Sequence, residues 1–152
     1  MPTRLSEHFT LEELIFSQTA ARKGIDNTPS AEIVANLRAL ARVLEEVRVL
    51  LGAPIMVSSG YRSPELNRAV GGAKRSAHLL GLAADFTAPQ SGTVLRVARR
   101  LAGSGIGYDK LIHEYGAWVH LGIAPADAEP RREQLSIFQG TGYLEGILSR
   151  PV

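Results

Sequence analysis

The chain has 152 residues, 45% of them hydrophobic and 21% charged, with a formal net charge of +2 and no cysteine. That size and balance suit a soluble globular protein, read as one domain over residues 1–152 that buries its core without cross-links. Disulfides and thiolate metal sites are excluded, no basic stripe marks a nucleic-acid surface, and no apolar run is long enough for membrane insertion.

The first residues, Met1 to Glu7, lack the apolar segment of a secretory signal. The chain is therefore expected to be cytoplasmic as synthesised. Thr10-Leu11-Glu12-Glu13 has the form of a capping box and predicts a short helix to about Ser17. Thr19 to Asn27 reads as a loop, with Gly24 and Asn27 as turn formers. His8, just before this helix, is expected to hydrogen-bond locally.

Thr28-Pro29 is read as the start of the strongest helix, since proline suits the first helical position. Ile33, Leu37, Leu40, Leu44, Val47 and Leu51 then form one apolar stripe, and Gly52 and Pro54 stop it. Its other face, with Arg38, Arg42, Glu45 and Arg48, is expected to be solvated. Ile55 to Ser59 predicts a buried strand. Ser63-Pro64 opens a short helix as cap and first residue, which puts Arg62 at the junction of strand and helix. Gly71-Gly72 ends that helix, and Ala73 to Ala77 is a loop leading to His78.

Leu82 to Phe86 predicts a second strand, with Ala83 and Asp85 on one face. Ser91 is read as the cap of a helix carrying Val94, Val97, Ala98 and Leu101. Asp109–Glu114 and Ala117–Leu121 form a hairpin around Tyr115-Gly116. Its loop length decides the chemistry. A two-residue loop puts His113 on the face of His120, whereas a three-residue loop puts Glu114 there. Arg131 to Phe138 reads as a final strand, followed by an irregular, glycine-rich tail.

His78, Asp85 and His120 are candidate metal ligands. Zinc takes such nitrogen and oxygen donors, and a catalytic zinc keeps three protein ligands and an open position. Glu114 is the candidate base, with His113 as the rival that periodicity leaves open. Arg62 could grip a carboxylate or carbonyl oxygen; its plainer reading is a surface ion pair with Glu65. Ser76 either touches substrate or bonds to the turn that presents His78.

Ser76-x-His78-x-x-Gly81-x-Ala83-x-Asp85 resembles the zinc signature of the D-alanyl-D-alanine carboxypeptidase and dipeptidase family of metallopeptidases. Ser59-Gly60-Tyr61-Arg62-Ser63 is similar to that family's arginine-bearing turn, and Trp118-Val119-His120 to its last ligand. Leu5–Pro29 and Tyr143–Ile147 look like the small branch common in phages and prophages. The resemblance implies a small α+β fold of the hedgehog/DD-peptidase kind, with a central antiparallel sheet flanked by helices. It also implies one Zn2+ per chain on His78, Asp85 and His120, and peptidoglycan stem peptides as substrate. Many members carry the base three residues before the last histidine, where this chain has Ala117; Glu114, six residues before, is similar to the spacing in hedgehog signalling domains. The function expected is therefore a zinc peptidase, acting as a D-Ala-D-Ala carboxypeptidase or an L-Ala-D-Glu-type endopeptidase. Such a protein, expected to be a monomer, would act at the wall after release or within a phage particle. The alternative is a zinc-containing wall-binding or virion module with little or no hydrolysis.

Overall fold

The computed structural model describes residues 2–151. The architecture is α+β. Five helices, α1 (Leu11–Ile15), α2 (Gln18–Lys23), α3 (Ala31–Leu51), α4 (Pro64–Ala69) and α5 (Val94–Ala102), accompany six strands. These are β1 (Met56–Ser59), β2 (Ala83–Thr87), β3 (Lys110–Glu114), β4 (Trp118–Gly122), β5 (Glu133–Ile137) and β6 (Leu144–Glu145). They form one sheet in the order β1-β2-β4-β3-β5-β6. All pairs are antiparallel except β3 with β5, which run parallel.

The period-two alternation of the strands divides the sheet by chemistry. Ala84, Phe86, Leu111, Val119 and Leu121 point to one face, where they join Leu37, Leu40, Leu44 and Val47 of α3 and Val97, Ala98 and Leu101 of α5 in one buried core. Asp85 pairs with His120, and Ile112 with His120, so these side chains share the opposite face. The helices seal the apolar face and leave the other open for chemistry.

Several boundaries differ from the sequence reading. The long helix starts at Ala31, not at Thr28-Pro29, because the Ser30 hydroxyl accepts the Ile33 N–H and caps it. The expected loop after Ser17 contains α2, capped by Ser17 and closed by Gly24 at φ 66°. The cap of α5 is Thr93, not Ser91. The tail adds β6, an element the sequence reading did not expect. Glu45 is not simply solvated. Its carboxylate accepts the Ser6 hydroxyl, the His8 N–H and His8 Nδ1–H at 2.6–2.7 Å, and so ties the N-terminal segment to α3.

No helix among the described residues is long and apolar enough to cross a membrane.

Candidate metal centre

Three buried side chains converge on the open face of the sheet. Asp85 comes from β2, His120 from β4, and His78 from a short 3-10 turn over Ala77–Leu80. Asp85 Oδ1 lies 3.2 Å from His78 Nε2 and 2.9 Å from His120 Nδ1. One ligand atom from each residue falls within 4.8 Å of the others. With zinc–nitrogen bonds near 2.0–2.1 Å, the edge of a tetrahedron is about 3.3 Å. The two Asp85 separations, 3.2 and 2.9 Å, lie near that edge, so the donor set is compatible with one zinc.

Each donor is held from behind. His78 Nδ1–H donates to the Gly60 carbonyl at 2.7 Å, which fixes the ring and leaves the Nε2 lone pair for the site. The Ser76 hydroxyl accepts the His78 N–H and so caps the turn. Gly81 closes that turn at φ 70°, where a Cβ would lie 3.0–3.1 Å from Ile33 and Leu37. Gly60 in turn packs on α1. A Cβ there would stand 2.2 Å from the Leu14 carbonyl oxygen, which accepts the Tyr61 N–H. Burial alone would raise the Asp85 pKa, yet the imidazole rings of His120 and His78 beside its carboxylate hold it well below the usual range. Asp85 is therefore an anion ready to share with a cation.

Arg62 is not paired with Glu65. Its guanidinium reaches Asp85 Oδ2 at 3.4 Å, Ser59 Oγ at 3.0 Å and Asn67 Oδ1 at 3.2 Å, and its backbone N–H donates to the His78 carbonyl. Asn67 is buried and its amide also donates to the Ala73 carbonyl. Gly72 lies against this brace, for a Cβ there would sit 2.0 Å from Asn67 Oδ1. Sequence reading missed Ser59, Asn67 and Gly72 as parts of the site. Ser59 stood in the arginine-bearing turn without a role of its own, and the Gly71-Gly72 pair read only as a helix stop.

The hairpin separates the two base candidates. Glu114 pairs with Trp118, so three residues, Tyr115 to Ala117, make the loop. Tyr115 and Gly116 both have positive φ, and the Ala117 N–H donates to the Glu114 carbonyl, as in a type I′ turn. Ala117 is the extra residue. Glu114 thus shares the face of His120. His113 faces the core side, its ring edge-on to Phe138 and its Nδ1–H donating to the Leu148 carbonyl. Burial raises the Glu114 pKa above the ordinary value, and the Asp85 charge adds to it; His120 and Arg62 pull the other way. The buried Trp118 indole N–H has no hydrogen-bond partner.

Two hollows meet at the triad along Arg62, Val70, Asp85 and Trp118. The larger, about 710 Å³, holds all three triad side chains, Glu114 and Tyr143. The other, about 560 Å³, runs between Phe16–Thr19 and β1.

No curated protein matches the chain. A family model described as Peptidase M15 matches residues 7–122, a span that contains the triad, Glu114 and Arg62. With that match over most of its length, the chain belongs to the peptidase M15 family of zinc-dependent peptidases.

Proposed function

We propose that the protein is a zinc peptidase that hydrolyses peptide bonds of peptidoglycan stem peptides. The observation that carries this reading is the convergence of His78 Nε2, Asp85 Oδ1 and His120 Nδ1 on a sheet face shared with Glu114. His78, Asp85 and His120 would hold the ion. Bound there, zinc supplies positive charge that acidifies water and polarises a carbonyl oxygen.

The chain's own groups do the rest. Glu114 takes a proton from the attacking water and delivers it to the leaving nitrogen. One water is consumed: a C–O bond forms, the C–N bond breaks, and the products leave as a carboxylate and an amine. Burial of Glu114 suits this task, because a carboxylate with a raised pKa holds a transferred proton longer. Arg62 keeps Asp85 aligned through Oδ2, and its three named side-chain bonds leave two guanidinium N–H groups for a substrate oxygen. Ser76 caps the His78 turn, and its place beside the larger hollow also lets it meet substrate. Residues 1–152 act as one peptidase domain, meeting the wall after release or within a phage particle.

The test incubates the full chain with defined muropeptides, with and without a chelator, beside Glu114→Ala. The expected result is chelator-sensitive cleavage, restored by added zinc, abolished in the variant, with about one zinc per chain. Wall binding without any cleavage by the zinc-loaded protein would instead support a binding module.

A further inference from the structure

Tyr143 stands on the open face of the sheet, yet the fold makes no use of its hydroxyl. It comes just before β6, where Leu144 pairs with Ser136 and Glu145 with Leu135. Strand alternation turns Tyr143 to the face of Leu135, which also carries Ile112 and Glu114, and away from Ser136 on the core side. There its side chain, 60% exposed, borders the larger hollow together with Glu114 and the triad. The segment that presents it is held on both sides. Before it, Thr141 Oγ1 accepts the Phe138 N–H. After it, the buried Ser136 hydroxyl donates to the Gly146 carbonyl and accepts the Leu148 N–H, while His113 Nδ1–H donates to the Leu148 carbonyl. Among the described residues the one tyrosine hydroxyl bonded within the protein is that of Tyr108, a core side chain that accepts from Gln134. The Tyr143 hydroxyl is left for a ligand.

We propose that Tyr143 binds substrate, its phenol O–H donating to the carbonyl oxygen of the residue that leaves as the amine. The inference rests on the peptidase reading and adds a residue to it, from a segment beyond the 7–122 span that the family model matches. Three observations carry it. The first is strand order. From β1 toward β6 the open face presents Arg62 just past β1, then Asp85, His120, Glu114 and Tyr143. Glu114, which hands its proton to the leaving nitrogen, thus stands between the triad and Tyr143, and the departing half of the peptide lies toward β5. The second is room. β3 and β6 are two strand spacings apart, about 10 Å, so one extended main chain fits over Leu135 between the Glu114 and Tyr143 side chains. The third is chemistry. Partial burial raises the Tyr143 pKa, and Glu114, Tyr115 and Asp85 add to the rise, so the phenol keeps its proton at neutral pH and is a donor. Lys110 of β3 and Arg131 ahead of β5 are engaged by Glu133 and Asp109. Arg75 in the same hollow has no ion pair among the described residues, but a guanidinium suits a carboxylate, whereas a neutral phenol suits a carbonyl.

The zinc-loaded full chain is assayed on defined muropeptides beside Tyr143→Phe and Tyr143→Ala, and the two products of the parent are assigned by mass. Tyr143→Phe keeps the ring and removes only the donor, so kcat/KM should fall about 3–10-fold with zinc affinity and urea unfolding unchanged. Tyr143→Ala also removes the ring and should fall about 10–100-fold. A merely structural tyrosine would be replaced by phenylalanine without loss. The side of the contact is read without turnover. Trp118 is the sole tryptophan and borders both hollows, so its fluorescence in Glu114→Gln reports binding of each product. In that background Tyr143→Phe should weaken binding of the amine product about 3–10-fold and leave that of the carboxylate product within about 1.5-fold. Parent-like kcat/KM in Tyr143→Phe, or a loss of binding that falls on the carboxylate product or on both products equally, would overturn the role of Tyr143 and leave the peptidase reading intact. Absence of any hydrolysis by the zinc-loaded parent would overturn both.

Discussion

Gly72→Ala tests whether the brace behind the metal centre matters. Gly72 has no positive φ, so alanine suits its backbone and would ordinarily stabilise the fold by about 0.4–1 kcal/mol. The surroundings reverse that sign. The added Cβ would lie 2.0 Å from Asn67 Oδ1, 2.7 Å from Asn67 Cγ and 2.9 Å from Arg62 Nη1. Asn67 has little room to retreat: its side chain is bonded to the Ala73 carbonyl, and its backbone to Ser63 and Gly72. Expelling its oxygen breaks the bond to Arg62, worth about 1.5–3 kcal/mol for a charged partner, and strains the one to Ala73. With partial relaxation, a loss of about 2–4 kcal/mol is expected in urea unfolding with chelator present. Once Arg62 is displaced, Asp85 Oδ2 loses its support. Zinc affinity, measured by competition with a chromophoric chelator, should fall about 10–100-fold. Gly71→Ala is the control. Its Cβ meets open space but its φ is 74°, so it should cost about 1–2 kcal/mol and leave zinc affinity unchanged. A Gly72→Ala protein as stable as the parent, with unaltered zinc affinity, would refute the brace.

Glu114→Gln should lower kcat by about 10²–10⁴-fold with zinc still bound, while His113→Gln, on the other face of β3, should keep activity within about threefold. Steady-state kinetics beside metal analysis reads both. Hydrogen bonds from Arg131 hold the Asp109 pKa below its usual value against the opposing effect of burial. Its contribution is therefore complete above the unfolded carboxylate pKa of about 3.9 and fades as pH falls through the lower folded value. Asp109→Asn should cost about 1 kcal/mol in urea unfolding at pH 7, a deficit that shrinks when the measurement is repeated below pH 3. Glu45→Ala should cost about 1–3 kcal/mol by removing the acceptor for Ser6 and His8, with faster amide exchange over residues 5–9.

The parts of the fold that local chemistry dictates were legible. The stripe from Ile33 to Leu51, the stop at Gly52 and the Ser63-Pro64 start all rest on neighbours within a turn of one another. Elements whose support comes from afar were not. α2 buries only Ala20, so its six residues present no periodic face to read. The parallel β3–β5 pairing joins residues far apart in the chain, Lys110 with Glu133, and the short β6, Leu144–Glu145, has too few residues to show a period. The site divides in the same way. The candidate ligands His78, Asp85 and His120 were named from the spacing of Ser76 to Asp85 and from Trp118-Val119-His120, with cysteine absent as a rival donor. Ser59, Asn67 and Gly72 are ordinary residues, and only folding reveals that they hold Arg62.

Which of Glu114 and His113 shares the face of His120 is a question that sequence leaves open and the register answers. Tyr115-Gly116 is not the Asn-Gly pair that announces a two-residue turn, so loop length was undetermined. The strands themselves decide. β4 is registered against β2, which puts Val119 and Leu121 in the core and His120 outside it. With Ala117 absorbed in the loop, Leu111 joins that core and Glu114 stays on the open face. One residue of slip would bring Leu111 out, at about 1.5–3 kcal/mol, and drive Lys110, Ile112 and Glu114 toward α3 and α5. A carboxylate there would have no partner and would cost several kcal/mol more. A histidine tolerates that side. His113 is buried with one carbonyl bonded to its ring, and burial lowers its pKa, favouring the neutral form. The register that builds the hydrophobic core thus puts Glu114 on the sheet face that carries Asp85 and His120, and the one extra residue at Ala117 makes both possible.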